Sequence, residues 1–207
     1  MTNRPLGLVI AGGLASRMGG GDKSLIRIGG KTILERLLKR LAPQCGRVII
    51  NANGDASRFA FTGLPVVPDD VPDFAGPLAG ILAGLDWAAK NTPETAYVAS
   101  VPGDIPFLPH DLIARLQAAR AKARQPLACA RSGEWRHPAA GLWPVSLRHD
   151  LRQAVMVEDI HRMEAWTARH GIAIAEWPDA PVDPFFNVNT PEDAARANEL
   201  ALQYPEA

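Results

Sequence analysis

Three features of this 207-residue chain predict an α/β fold built on a mostly parallel sheet. Short runs rich in β-branched residues alternate with longer segments whose apolar residues recur at helical spacing. A glycine-rich loop follows the first such run. Polar clusters then fall just after each strand, where the loops of an open α/β sheet converge on ligands.

The elements follow in order. Leu6 to Ile10, Val48 to Asn51, Val66 to Val67 and Tyr97 to Ser100 read as strands. The segments between them place Ile or Leu three or four residues apart and read as sheet-covering helices: Thr32 to Ala42, Leu78 to Ala89 and His110 to Ala123. Farther on, LACARSGEWRHPAAGLWPV reads as two strands joined by a polar turn, which adds an antiparallel element. The C-terminal quarter reads as helical around a last strand near Ile172 to Glu176. Met156, Met163 and Trp166 fall at near-helical intervals and are expected in the core. No repeat or long linker divides the chain, so residues 1–207 are expected to form one domain.

Composition narrows the function. Lys plus Arg number 22, as do Asp plus Glu, so a protein that depends on contacts along a nucleic-acid backbone is not expected. Cys45 and Cys129 match no metal or redox spacing and are expected as buried, reduced thiols. The apolar run Leu6 to Ala11 is short for a signal-peptide core, and no stretch approaches a membrane span, so a cytoplasmic protein without a membrane partner is expected.

The loop LVIAGGLASRMGGGDKSL, residues 8–25, carries the main chemical signal. A phosphate cradle needs backbone N–H groups free to turn toward an anion, which glycine permits, and cations to offset its charge. Gly12, Gly13, Gly19, Gly20 and Gly21 supply the first requirement; Arg17 and Lys23 supply the second. Neither the P-loop spacing nor the dinucleotide G-x-G-x-x-G pattern is met. A glycine-rich surface turn with solvated charges is the competing reading on spacing alone.

Together with VIINANGD, VVPDDVPDFAGPLAGILAGL, VPGDIPFLPHDLIARL, RHPAAGLWPVSL and FFNVNTPEDA, this loop resembles the molybdenum cofactor guanylyltransferases of the MobA type across nearly the whole chain. The resemblance implies a Rossmann-like three-layer α/β/α sandwich of the nucleotide-diphospho-sugar-transferase kind. It also implies transfer of GMP from GTP to molybdopterin or molybdenum-molybdopterin, with Mg2+, or Mn2+ in its place, as cofactor. Transient contacts with molybdenum-insertion proteins and molybdoenzyme chaperones follow from the same resemblance.

Carried over residue by residue, the resemblance makes Ile10, Ala11, Gly12, Gly13, Lys23, Asn51 and Asp69 nucleotide-contacting positions, the first ones through their backbone. Arg17 and Lys23 suit the catalysis of a reaction whose barrier is largely repulsion between anions; solvated loop charges are the alternative. Asp104, in PGDIP, matches the metal ligand, with an Asx-turn or helix-cap role as the alternative. Gly103 stands where relatives often carry cysteine, a change with no evident chemical loss.

Asn187 and Asn189, two apart on an extended segment, match the pterin site and offer an amide edge that suits it; loop stabilisation is the alternative. His137, before Pro138, matches a motif near the same cleft, or is a turn residue. Thr190-Pro191 with acidic residues behind it is a helix start that needs no function. Asn53-Gly54 reads as a turn and Asp70 as a solvated neighbour, while Gly76 to Gly80 open a helix whose N–H groups could also face the cleft.

One segment departs from the family: where relatives carry a basic element before a helix, Arg152 is followed by Glu158-Asp159. The residues for the pterin phosphate are therefore unassigned. Competing functions are a cytidylyltransferase for the same pterin, whose loop would read A-A-G, a sugar-phosphate nucleotidyltransferase, and a nucleotide-binding regulatory module without turnover.

Overall fold

The computed structural model describes residues 4–12, 21–71 and 76–206. Arg17 and Gly13, with Gly19 and Gly20, lie outside these residues. The strands are β1 (Leu6–Ile10), β2 (Arg27–Ile28), β3 (Lys31–Thr32), β4 (Arg47–Asn51), β5 (Val66–Val67), β6 (Tyr97–Pro102), β7 (Leu127–Ser132), β8 (Trp135–Pro144) and β9 (Ile172–Trp177). The helices are α1 (Ile33–Leu41), α2 (Pro77–Asn91), α3 (Leu112–Ala123), α4 (Arg148–Met156), α5 (Met163–His170) and α6 (Pro191–Gln203).

The main sheet has the order β5-β4-β1-β6-β8-β7-β9. Its pairs are parallel except those β8 makes with β6 and β7. The chain winds outward from β1 through β4 to β5, then crosses back to place β6 on the other side of β1. That reversal opens a crevice at the carboxyl ends of β1, β4 and β6.

Both faces of the sheet are covered, and β1 shows why its sequence reads as a continuous apolar run. Leu6 and Leu8 pack with α2, α4 and α5, whereas Val9 and the following Ala11 pack with α1, α3 and α6. Helix α2 begins with Pro77 at its first turn, and α6 begins at the Thr190-Pro191 start that its sequence predicts, closed by a Thr190/Asp193 capping box. Strand β8 carries an irregularity: Cys129 pairs with Gly141 but Ala130 with His137, so residues 138–140 bulge from the ladder. Pro138 has no N–H to give a ladder, and Ser100 Oγ holds the bulge by donating to the Ala139 carbonyl at 2.6 Å.

Cys45 and Cys129 are buried free thiols, and burial pushes them up to about 12 and about 11. No helix among the described residues is long and apolar enough to cross a membrane. Met156 corrects an expectation: it is 48% exposed, whereas Met163 and Trp166 are buried. It closes α4 beyond the buried Leu151, Ala154 and Val155, and Met163 begins the separate helix α5, so the three never share one helical stripe.

Candidate active site

The crevice between β1, β4 and β6 forms a cleft of about 610 Å3, a volume suited to a nucleotide-sized ligand. At one end stand Lys23, Ser24, Gly103 and Asp104; at the other stand Asn51, Asn53 and Asp69. Ile10, Ala11, Gly12, Gly76 and Ala139 also line it.

The cationic end is organised around Lys23, whose Nζ lies 3.5 Å from Asp104 Oδ2 and donates to Asn189 Oδ1 at 2.5 Å. Burial pushes the Asp104 carboxyl above the usual carboxylate range, against the opposing pull of Lys23. Among the described residues its Oδ1 is buried with no hydrogen-bond partner, and so is Ser24 Oγ. Native structures satisfy such groups with protein, water or ligand, and both residues line the cleft, where a bound ligand would supply the partner. A lone, under-satisfied carboxylate fits a hard divalent cation that takes its remaining oxygens from phosphates and water. No cluster of three or more His, Cys, Asp or Glu suited to a metal occurs among the described residues.

The opposite end is built on Asp69. Asn51 Nδ2 donates to its Oδ1 and Asn53 Nδ2 to its Oδ2, each at 2.8 Å, while Asn53 Oδ1 accepts from the Asp69 N–H at 2.8 Å. The carboxylate is thereby fixed in orientation at the cleft wall. Asn53 therefore belongs to the site, although the positive φ of Gly54 bears out the turn its sequence suggests.

Two glycines allow these contacts. A Cβ on Gly80 would lie 2.3 Å from Asn51 Oδ1, so α2 can approach only because that residue has no side chain. A Cβ on Gly103 would lie 2.8 Å from the Ile10 carbonyl, which accepts the Gly103 N–H at 2.8 Å. The Ala11 N–H is likewise committed, to the Asn51 carbonyl at 2.8 Å. These backbone groups brace β1 against β4 and β6.

The expected acceptor residues are divided. Asn189 joins Lys23, whereas Asn187 is exposed. His137 lies in β8 beside the bulge rather than in a turn, stacks on Phe185 with ring centroids 4.7 Å apart, and bonds Ser132 Oγ at 2.7 Å. Burial holds its imidazole below the usual range, with Asp183 opposing. Asp70 is exposed, as expected, and also pairs with Arg152, which bridges it and Asp86 at 2.6 Å each, so that guanidinium is already engaged by two carboxylates.

A doubly covered, mostly parallel sheet with a lysine–carboxylate pair and an orienting Asn/Asp network at its switch point is the frame of an α/β nucleotidyltransferase. Residues 7–174 match the family model of the MobA-like NTP transferase domain, and the chain belongs to that family. It is 56% identical over 195 residues, covering 94% of this chain and 93% of the other, to a protein of Nitrobacter hamburgensis named molybdenum cofactor guanylyltransferase. Among solved structures it resembles molybdopterin-guanine dinucleotide biosynthesis protein A from Archaeoglobus fulgidus, with a TM-score of 0.73 at 20% identity over 96% of this chain and 99% of that one. A Mycobacterium tuberculosis protein solved in complex with manganese shares the fold, with a TM-score of 0.68 at 19% identity over 95% of this chain and 98% of the other.

Proposed function

We propose that this chain transfers GMP from GTP to molybdopterin, with or without molybdenum, and releases pyrophosphate. One observation carries the reading beyond family membership: a single cleft holds a cationic, under-satisfied end at Lys23, Ser24 and Asp104 and a rigid hydrogen-bonding end at Asn51, Asn53 and Asp69. The first suits a polyphosphate and the second a base or ribose edge.

In this reading a phosphate oxygen of the pterin attacks the α-phosphorus of GTP while the bond to pyrophosphate breaks, so charge must be managed among anions. Lys23 steadies the polyphosphate with its point charge, and Arg17 is assigned the same task from the glycine loop. Asp104 would hold Mg2+, or Mn2+ in its place, and a cation bound there would neutralise charge on the polyphosphate. Asn51 and Asp69 orient the nucleoside. Asn187, Asn189 and His137 are assigned to the acceptor side. The chain then works as one nucleotidyltransferase domain in the cytoplasm and hands its product to molybdoenzymes through molybdenum-insertion proteins and chaperones.

The test is pyrophosphate release with Mg2+, molybdopterin-loaded donor protein and each of the four nucleoside triphosphates in turn. GTP is expected to be preferred. Equal or better turnover with CTP would replace this reading with the cytidylyltransferase one, and binding without turnover of any nucleotide would favour the regulatory module.

A further inference from the structure

The two ends of the cleft are tied together by a residue that does not line it. Arg58 lies on the 3-10 helix that spans Ala56–Thr62, and its guanidinium reaches three separate acceptors. Its Nε meets Asp22 Oδ2 at 2.6 Å, its Nη2 donates to the Asn53 carbonyl at 2.7 Å, and its Nη1 donates to the Asp55 carbonyl. The guanidinium also lies over the Phe59 ring, 4.7 Å from its centroid. The Phe59 side chain is fully buried, so the platform beneath the cation is fixed.

The two walls so joined carry different halves of the site. Asp22 immediately precedes Lys23, which meets Asp104. Asn53 orients Asp69 through two hydrogen bonds. The Asp22 side chain is only 8% exposed, so this ion pair is better shielded from screening than a pair in open solvent. Three acceptors in different directions need the planar fork of arginine, which the single ammonium of lysine cannot reproduce.

We infer that the Arg58–Asp22 clamp is a positioning device that sets the span between the polyphosphate end and the nucleoside end of the cleft. This rests on the nucleotide reading of that cleft. A ligand that touches both ends gains from a fixed span, because less ordering is left to do on binding. A ligand that occupies only the polyphosphate end has no use for it. Two legs of Arg58, to Asn53 and Asp55, are local; the leg to Asp22 alone reaches the segment that carries Lys23, so Asp22→Asn removes the ion pair and keeps the local turn.

The experiment measures calorimetric binding of GTP and of inorganic pyrophosphate, both with Mg2+, to the intact protein and to Asp22→Asn, Arg58→Lys and the double variant, with steady-state turnover alongside. Asp22→Asn is expected to weaken GTP by about five- to tenfold, the effect of losing one partly shielded ion pair, while pyrophosphate stays within about twofold. The KM for GTP should rise with kcat at saturation nearly unchanged. Arg58→Lys should weaken GTP at least as much, since it also loses the legs to Asn53 and Asp55, and the double variant should be no weaker than Arg58→Lys, since both single changes already break the leg to Asp22.

Equal GTP binding by the intact protein and Asp22→Asn would overturn the clamp and leave the nucleotide reading standing. Equal losses for GTP and pyrophosphate would also overturn it, by showing that Asp22 supports the loop generally. Additive losses in the double variant would do the same. No GTP binding by the intact protein would instead overturn the nucleotide reading, and the clamp with it.

Discussion

Asp104→Asn separates binding from chemistry. The substitution keeps the shape of the side chain and removes its charge. In the unliganded protein, Lys23 at 3.5 Å attracts the carboxylate by roughly 5 kcal/mol at an effective dielectric constant of about 20. Burial opposes this, and the upward shift of the Asp104 carboxyl shows that burial prevails. The ionised form is therefore held at a cost in the unliganded fold, so neutralising it should leave stability within about 1 kcal/mol of the parent. The loop and Lys23 remain, and GTP should still bind to some degree.

Turnover should behave differently. If Asp104 anchors the cation that shields the polyphosphate, its loss should lower pyrophosphate release by about a hundredfold or more, or some 2.7 kcal/mol of barrier at 1.36 kcal/mol per tenfold. Mn2+ accepts neutral oxygen and nitrogen ligands more readily than Mg2+ and should restore part of the rate. The assay is a Mg2+ and Mn2+ titration of the folded variant at saturating GTP and pterin. A rate within a few-fold of the parent at ordinary Mg2+ would refute the reasoning and reduce Asp104 to a turn residue.

Gly80→Ala would drive a methyl group to 2.3 Å from Asn51 Oδ1 and displace the amide that orients Asp69; the KM for GTP should rise about tenfold. The better helix propensity of alanine, about 1 kcal/mol, should offset part of the strain in a thermal melt, and an unchanged KM would show that the Asn51 amide is not needed. Asn187→Ala and Asn189→Ala should part company: the first should weaken use of the pterin alone, and the second should also raise the KM for GTP, because Lys23 loses an acceptor. A lost hydrogen bond of about 1 to 3 kcal/mol sets the scale at roughly five- to a hundredfold, and identical GTP kinetics in both variants would refute the coupling through Lys23.

The fold was legible because its signals are local. Apolar periodicity locates α1, α2 and α3, and Thr190-Pro191 announces α6. Lys23, Asn51, Asp69 and Asp104 follow strands or the glycine loop, so their placement on the cleft follows from topology once the sheet is predicted. The roles that escaped the sequence belong to contacts that close over distance. Asn53 looks like a turn residue because Gly54 beside it is one; its bonds to Asp69 arise only when the loop after β4 meets the end of β5. Nothing near Arg58 marks it as a partner of Asp22. Nor does the helical spacing of Gly80 reveal the amide it must avoid. Met156 shows the reverse error, in which periodicity carried on across a break between two helices suggests burial that neither helix provides.

The segment proposed for the acceptor, residues 187–189, meets the proposed nucleotide site through Lys23 and Asp104. The Val188 N–H donates to the Asp104 carbonyl at 2.9 Å, and Asn189 Oδ1 accepts from Lys23. Asn189 is fixed in turn by its N–H to Asp193 Oδ2 at 2.9 Å, a bond that also belongs to the start of α6. Lys23 has three N–H donors, and among the described residues Asp104 and Asn189 engage it, so in the proposed reading a phosphate would take a remaining donor without the ammonium leaving its place. A cation already held in position loses little freedom when the anion arrives, and the same hold keeps the 187–189 segment in register with it. The residues proposed for the acceptor and those proposed for the donor nucleotide thus share one framework, and in that reading a shift of Lys23 would be felt on both sides of the bond to be made.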